Sequence, residues 1–215
     1  MTVTPVHIYG PRFSNFVRSV MLVCEEKQLA YTVGFDVEGN NVTFKGEQHL
    51  KWHPFGKIPV LLAGQLAIPE TASICRYLDA DKQLQPQQNS QVYARHDALC
   101  ALISIDIDKV LVRDYLLEFA FPKGENNSIR FDVVKKVQPK AAATIAIIEQ
   151  MLLEETALTS EVFTIADALL APMLHYISCL PAGFNLIADY PKVQQYLADL
   201  MTRPACQKVL TAKEF

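Results

Sequence analysis

Apolar residues follow two different rhythms along this chain. Over the first 80 or so residues, short apolar runs alternate with helical patterns. Val6 to Tyr9 reads as a strand. Within Phe13 to Gln28, Val17, Val20, Met21 and Cys24 recur at helical spacing. Tyr31 to Phe35 reads as a second strand. Lys45 to His49 is ambiguous between a loop and a short helix. Val60 to Ala63 is a third strand, Gly64-Gln65 a tight turn, and Leu66 to Ile68 a fourth strand. Thr71 to Asp79 reads as a helix. The order is β-α-β-α-β-β-α.

The rhythm then changes. Residues 81–90 (DKQLQPQQNS) are polar, Gln-rich and interrupted by Pro86, as a linker should be. Beyond them strand signals vanish. Gln91 to Ala120 is a long helical pattern, closed by Pro122-Lys123-Gly124. Ile129 to Leu153 is a second long helix, expected to break near Pro139. Thr164 to Ser178, Lys192 to Met201 and Ala205 to Ala212 complete the helical part. A βαβ unit followed by a hairpin is what a thioredoxin-like domain requires. The expected architecture is therefore an α/β thioredoxin-like N-terminal domain over residues 1–80, a linker over 81–90, and an all-α domain over 91–215.

Composition narrows the function. The chain has 215 residues, half of them hydrophobic, and a net charge of −3. That is enough apolar material for a sizeable core, and it argues against a basic face for nucleic acid. The longest apolar stretches, such as Ala141 to Ile148, are too short to span a bilayer. Met1 leads into the first strand with no charged leader and cleavage site, so no secretory signal is expected. The five cysteines are scattered and show no C-x-x-C. They read as small buried hydrophobes in a reducing cytoplasm. The five histidines show no metal-ligand spacing, so no metal is expected.

The most specific segment is His53 to Leu78, HPFGKIPVLLAGQLAIPETASICRYL. A Pro-Phe-Gly turn leads to an Ile-Pro step entering a strand. After a turn, Glu-Thr opens a helix. This segment resembles the glutathione-binding half of the cytosolic glutathione S-transferases, which show Asn-Pro-x-Gly-x-Val/Ile-Pro-x-Leu and then Glu-Ser/Thr-x-x-Ile-x-x-Tyr-Leu. His53 stands where the family more often has Asn, and Thr71 where it usually has Ser. His53 is read as serving the turn. Linker, helical half and the Thr164-x-x-Asp167 box extend the resemblance over the whole chain. That box has capping spacing, with Asp in place of the usual Glu.

The residues support binding chemistry of their own. An X-Pro step entering a strand is ordinarily trans at a sheet edge. Inside this motif the Ile58-Pro59 bond is expected to be cis, turning the Ile58 backbone outward to pair with an extended peptide. The resemblance implies that the peptide is glutathione. Thr71 stands where a helix begins and reads as an N-cap. Free amides there also bind carboxylates, and Glu70 suits an ammonium. By resemblance these two residues meet the γ-glutamyl end, and Lys45 and Lys57 the glycyl carboxylate.

Ser14 lies at the start of the first helix, where a cap is the ordinary role. By resemblance it falls where serine-type, theta/phi-like bacterial members carry the catalytic hydroxyl. The physics fits. The thiolate is the nucleophile, and a free thiol has a pKa of about 8.5. A hydroxyl donor and a helix N-terminus both favour the anion. Each unit of lowering needs about 1.4 kcal/mol, roughly one charge-assisted hydrogen bond. Tyr9 is the rival donor, read instead as packing or lining the cleft.

The resemblance implies a second substrate between the two domains. Ile105, Asp108, Val112 and Tyr115, spaced at three or four, are the expected lining. The expected activity is conjugation of glutathione thiolate to small apolar electrophiles by a cytoplasmic homodimer, in detoxification. The alternatives are a transferase-like interaction module without chemistry, or a glutathione-dependent peroxidase or isomerase.

Overall fold

The computed structural model describes residues 5–86, 89–154, 158 and 162–211. Gln87 and Gln88 of the expected linker, Ala212 of the expected last helix, and the domain ends at 1–4 and 213–215 lie outside them.

The N-terminal half is a four-stranded mixed sheet in the order β2-β1-β5-β6. Strand β1 (Val6–Tyr9) runs parallel to β2 (Tyr31–Gly34) and antiparallel to β5 (Val60–Ala63). Strand β6 (Leu66–Pro69) closes the hairpin on β5. Helix α1 (Asn15–Glu26) starts two residues later than the periodicity suggests and stops two earlier. Ser14 is its N-cap, and Gln28, at φ 53°, leaves the helical region. Its stripe of Val17, Val20, Met21 and Cys24 is fully or almost fully buried. Burying such a stripe is what stabilises a helix of this length. Helix α3 (Thr71–Leu78) packs beside α1.

Two local elements differ from expectation. A two-residue hairpin, β3 (Asp36–Val37) with β4 (Asn40–Asn41), follows β2. Its Asn-rich strands carry no apolar alternation, and its turn is tied by the Gly39 N–H donating to Asp36 Oδ1 at 2.9 Å. The short helix α2 is Glu47–Trp52 rather than Lys45–His49, because Lys45 sits at φ 60°.

The helical half begins with α4 (Ser90–Leu102). It continues without a break as a π-helical segment (Ile103–Leu116) into α5 (Leu117–Ala120). Helix α6 (Phe131–Leu153) runs through Pro139 rather than breaking there. Pro139 and Lys135, whose carbonyl loses its partner, are both exposed, so solvent can satisfy that carbonyl. Helix α7 (Ile165–Ser178) is buried along nearly its whole length and forms the centre of the molecule, against α1, α3, α4 and the π-helical segment. Helices α8 (Pro191–Met201) and α9 (Pro204–Val209) complete the fold.

The capping box at α7 forms as read. The Thr164 N–H donates to Asp167 Oδ2 at 2.7 Å. The 81–90 stretch begins firmly tied: the Gln83 and Leu84 amides both donate to the buried Asp79 carboxylate at 3.0 Å. Four cysteines are buried as expected, but Cys179 is exposed, because α7 ends there in the turn after Ser178. Among the described residues, no helix is long and apolar enough to cross a membrane.

Candidate active site

A cavity of about 740 Å³ lies between the sheet half and the helical half. Its sheet-side wall is made by the turn after β1, the loop before β5, and the start of α3. Its helical wall is the π-helical segment and α5. Ser14, Lys45, Lys57, Ile58, Pro59, Glu70 and Thr71 line the first wall, and Ile105, Asp108 and Val112 the second.

The turn carrying Ser14 is held by close packing. Gly10 has φ 142°, and a Cβ there would meet Val17 Cγ2 at 2.8 Å and Ile58 Cβ at 3.2 Å. A side chain would push the turn off the Ile58 loop. Tyr176 of α7 donates its hydroxyl to the Phe13 carbonyl at 2.7 Å. Arg18 of α1 donates to the Arg12 and Thr211 carbonyls. Ser14 therefore sits at a fixed helix N-terminus, yet its hydroxyl makes no capping bond. The side chain lines the cavity, and the positive end of α1 lies behind it.

Tyr9 does not line the cavity. It is fully buried among Phe35, His49 and Trp52, and its hydroxyl donates to the Val42 carbonyl at 3.0 Å. Burial pushes its pKa up.

The Ile58-Pro59 bond is cis. Among the described residues, no backbone hydrogen bond uses the Ile58 N–H or C=O. Glu70, rather than Thr71, is the N-cap of α3, with φ 68° and ψ 112° and no side-chain cap bond. This positive φ turns the chain sharply, so Thr71 becomes the first helical residue and lines the cavity. A non-glycine residue in such a conformation is strained, and strain of this kind gathers at binding sites. His53 bridges the two loops. Its Nδ1 accepts from the Phe55 N–H at 3.3 Å, as the turn role requires, and its Nε2 lies 3.6 Å from Glu70 Oε1. Burial lowers its pKa against the pull of Glu70.

The sequence reading overlooked His49. This fully buried imidazole accepts the Lys45 N–H at Nδ1 and lies 2.9 Å from the Lys57 carbonyl through Nε2. With Nδ1 accepting, Nε2 carries the proton and donates. One ring thus sets the spacing of both lysine-bearing turns. Gly56 completes the fit at φ 57°, where a Cβ would press on Lys45 Cγ at 3.0 Å. The only trace in the sequence is a lone histidine in an ambiguous segment.

Tyr115 does not line the cavity. It is fully buried, and its hydroxyl donates to the Phe184 carbonyl at 2.8 Å. A 3.6-residue repeat would put 105, 108, 112 and 115 on one face. The π-helical winding advances less per residue, rotates Tyr115 away, and brings Ser104, Lys109, Arg113 and Leu116 onto the wall. The same winding pairs residues five apart: Arg113 Nε donates to Asp108 Oδ2 at 2.8 Å, and Lys109 pairs with Asp114. Among the described residues, no group of three His, Cys, Asp or Glu side chains is placed to hold a metal ion.

Comparison with known proteins agrees with this geometry. The N-terminal domain model of glutathione S-transferases matches residues 13–81, and the C-terminal domain model matches residues 131–199. The chain belongs to the glutathione S-transferase family. Glutathione S-transferase F6 of Arabidopsis thaliana is 25% identical over 213 residues, spanning 95% of this chain and 99% of that one. A glutathione S-transferase-I solved with lactoylglutathione superposes with a TM-score of 0.82 at 22% identity, covering 98% of this chain and 100% of that chain. A maize glutathione S-transferase I in complex with an atrazine glutathione conjugate gives a TM-score of 0.81 at 21% identity, over 97% and 98% of the two chains.

Proposed function

We propose that this chain is a glutathione transferase that joins the thiolate of glutathione to small apolar electrophiles, with Ser14 holding the thiolate. The observation that carries the reading is the Ser14 hydroxyl, which makes no capping bond and, among the described residues, no other side-chain hydrogen bond. It stands at a helix N-terminus, in one cavity with the cis Ile58-Pro59 loop and the Glu70-Thr71 turn. Glutathione lies extended along the Ile58 loop, where unpaired backbone groups suit a peptide in strand-like pairing. Its γ-glutamyl carboxylate meets the amides at the start of α3 and the Thr71 hydroxyl, and its ammonium meets Glu70. Lys45 and Lys57 take the glycyl carboxylate.

The sulfur then faces Ser14. The hydroxyl donates to the anion and remains neutral, and the helix terminus adds its partial positive charge. Both favour thiolate over thiol, so the bound thiol loses its proton nearer neutral pH than the free one. The thiolate attacks the electrophile lying against the π-helical wall, a new carbon–sulfur bond forms, and the leaving group departs with its electron pair. Phe13, Phe16, Val112, Leu116 and Phe121 offer an apolar surface for that substrate. Assembly as a homodimer, a cytoplasmic setting and a part in detoxification follow from the family resemblance and belong to the same proposal.

Retention on immobilised glutathione, followed by turnover of an aryl halide, tests the reading. Retention with turnover is expected. A chain that neither binds glutathione nor uses it overturns the reading, and retention without turnover would favour the interaction-module alternative.

A further inference from the structure

Three consecutive carbonyls lead into Ser14, and each is held by a different donor. The Pro11 carbonyl accepts the Ser14 N–H at 3.0 Å, inside the turn itself. The Arg12 carbonyl accepts Arg18 Nε of α1 at 3.3 Å. The Phe13 carbonyl accepts the Tyr176 hydroxyl of α7 at 2.7 Å. Of these three donors, Tyr176 alone belongs to the helical half.

A peptide unit is planar, so the Phe13 C=O and the Ser14 N–H turn as one rigid plate. Both edges of that plate are tied, the N–H to Pro11 and the C=O to Tyr176. With the plate held, Ser14 keeps its extended backbone, at φ −63° and ψ 131°, and its side chain leaves in one direction. Without the outer tie the plate can rock, and the hydroxyl moves with it.

The outer anchor is rigid. Tyr176 is buried, on a helix buried along nearly its whole length. The buried Arg18 guanidinium lies over its ring, 4.5 Å from the centre. Tyr176 lines the same cavity as Ser14. A tyrosine hydroxyl has one proton to donate, and this one goes to the Phe13 carbonyl. Tyr176 therefore acts through the turn and is not a second donor to the sulfur.

We propose that Tyr176 is a positioning residue for the conjugation: it sets where the Ser14 hydroxyl points. The helical half thereby governs how well the sheet half holds the thiolate. This inference rests on the reading of Ser14 as the thiolate's donor and adds a residue to it. A hydrogen bond weakens steeply as its length and angle leave the optimum. A slackened turn therefore makes the bound thiol harder to ionise without loosening the rest of the peptide.

The test is Tyr176→Phe, which removes one oxygen and keeps the ring beneath Arg18. The bound thiol is titrated by its ultraviolet thiolate absorbance and by the pH dependence of kcat. Both inflections should rise by about half to one pH unit, and turnover at about pH 7 should fall about threefold to tenfold. Glutathione affinity should change little. In the Ser14→Ala chain the same substitution should move nothing further, since the group it places is gone. A hydroxyl with a purely structural role lowers the urea midpoint but leaves the inflection in place. That outcome overturns the inference, as does an equal shift in the Ser14→Ala chain. If Ser14→Ala by itself leaves the inflection unmoved, the reading of Ser14 falls, and this inference with it.

Discussion

The two walls of the cavity are built on different principles. The sheet-side wall is made largely of backbone: a cis Ile58-Pro59 step, a Glu70 at φ 68°, and the first turns of α1 and α3. Its side chains, among them Lys45, Lys57 and Glu70, stand on turns that these backbone conformations fix. The helical wall is made of side chains projecting from a continuous helix wound in π fashion. A backbone-built wall recognises what its ligands share, such as a peptide with charged ends. A side-chain wall can change its chemistry one residue at a time without disturbing the fold. That difference suits the proposed pairing of a constant co-substrate with a variable one.

Several measurements would break or sharpen the contrast. The largest effect is expected at Ser14. In Ser14→Ala, conjugation should fall by tenfold to a hundredfold, roughly the loss of one hydrogen bond to an anion. Glutathione affinity should change little, because the rest of the peptide is held by the Ile58 backbone, Lys45, Lys57, Glu70 and Thr71. The pH–rate inflection should move upward toward the free-thiol value of about 8.5. An unmoved inflection would remove Ser14 from the chemistry.

The joint between the walls is tested by acid. Burial, with a smaller push from Arg18, lowers His175 to about 4. Its Nδ1 is buried without a partner among the described residues. An unfolded histidine titrates near 6.5, so between those values the unfolded chain holds a proton that folded His175 refuses. The stability present above that range is therefore lost as pH falls through it. Unfolding free energies from urea titrations at about pH 7 and about pH 4.5 should differ by about 2–3 kcal/mol from this group, and His175→Leu should flatten the difference. An unchanged slope in the variant would assign the acid sensitivity elsewhere.

A smaller effect belongs to His49. His49→Ala should raise the KM for glutathione about tenfold while kcat stays nearly constant, since two backbone hydrogen bonds that space Lys45 and Lys57 are lost. A matching fall in kcat would show that the ring acts beyond positioning. The smallest effect is expected for Tyr9→Phe. It should cost about 1 kcal/mol in chemical denaturation, from the lost bond to the Val42 carbonyl, and leave turnover unaltered. Lost turnover would restore Tyr9 as the thiolate's donor and undo the reading of Ser14.

Legibility followed the same divide between the walls. The motif from His53 to Leu78 could be read because few residue types tolerate its turns. Glycine is needed at Gly56 for its positive φ, proline at Pro59 for the cis step, and a small hydroxyl at Thr71 at a helix start. His49 was missed because one histidine carries no periodicity, and its value comes from two backbone partners brought to it by folding. The hairpin at Asp36 to Asn41 was missed because its polar strands lack alternation. Thr71 was read as the cap and Glu70 takes that place, because a backbone dihedral has no sequence signature.

The sequence by itself determined the order of elements, the stripe that α1 buries, the capping box of α7 and the residue types of the sheet-side wall. Each is a local pattern whose physical meaning depends on near neighbours in the chain. Only the tertiary structure decided which face the long helix shows the cavity. Periodicity assigns a face only when the winding is known, and the winding of residues 103–116 departs from 3.6 per turn. That departure placed Tyr115 in the core and set Asp108 and Arg113 side by side on the cavity wall.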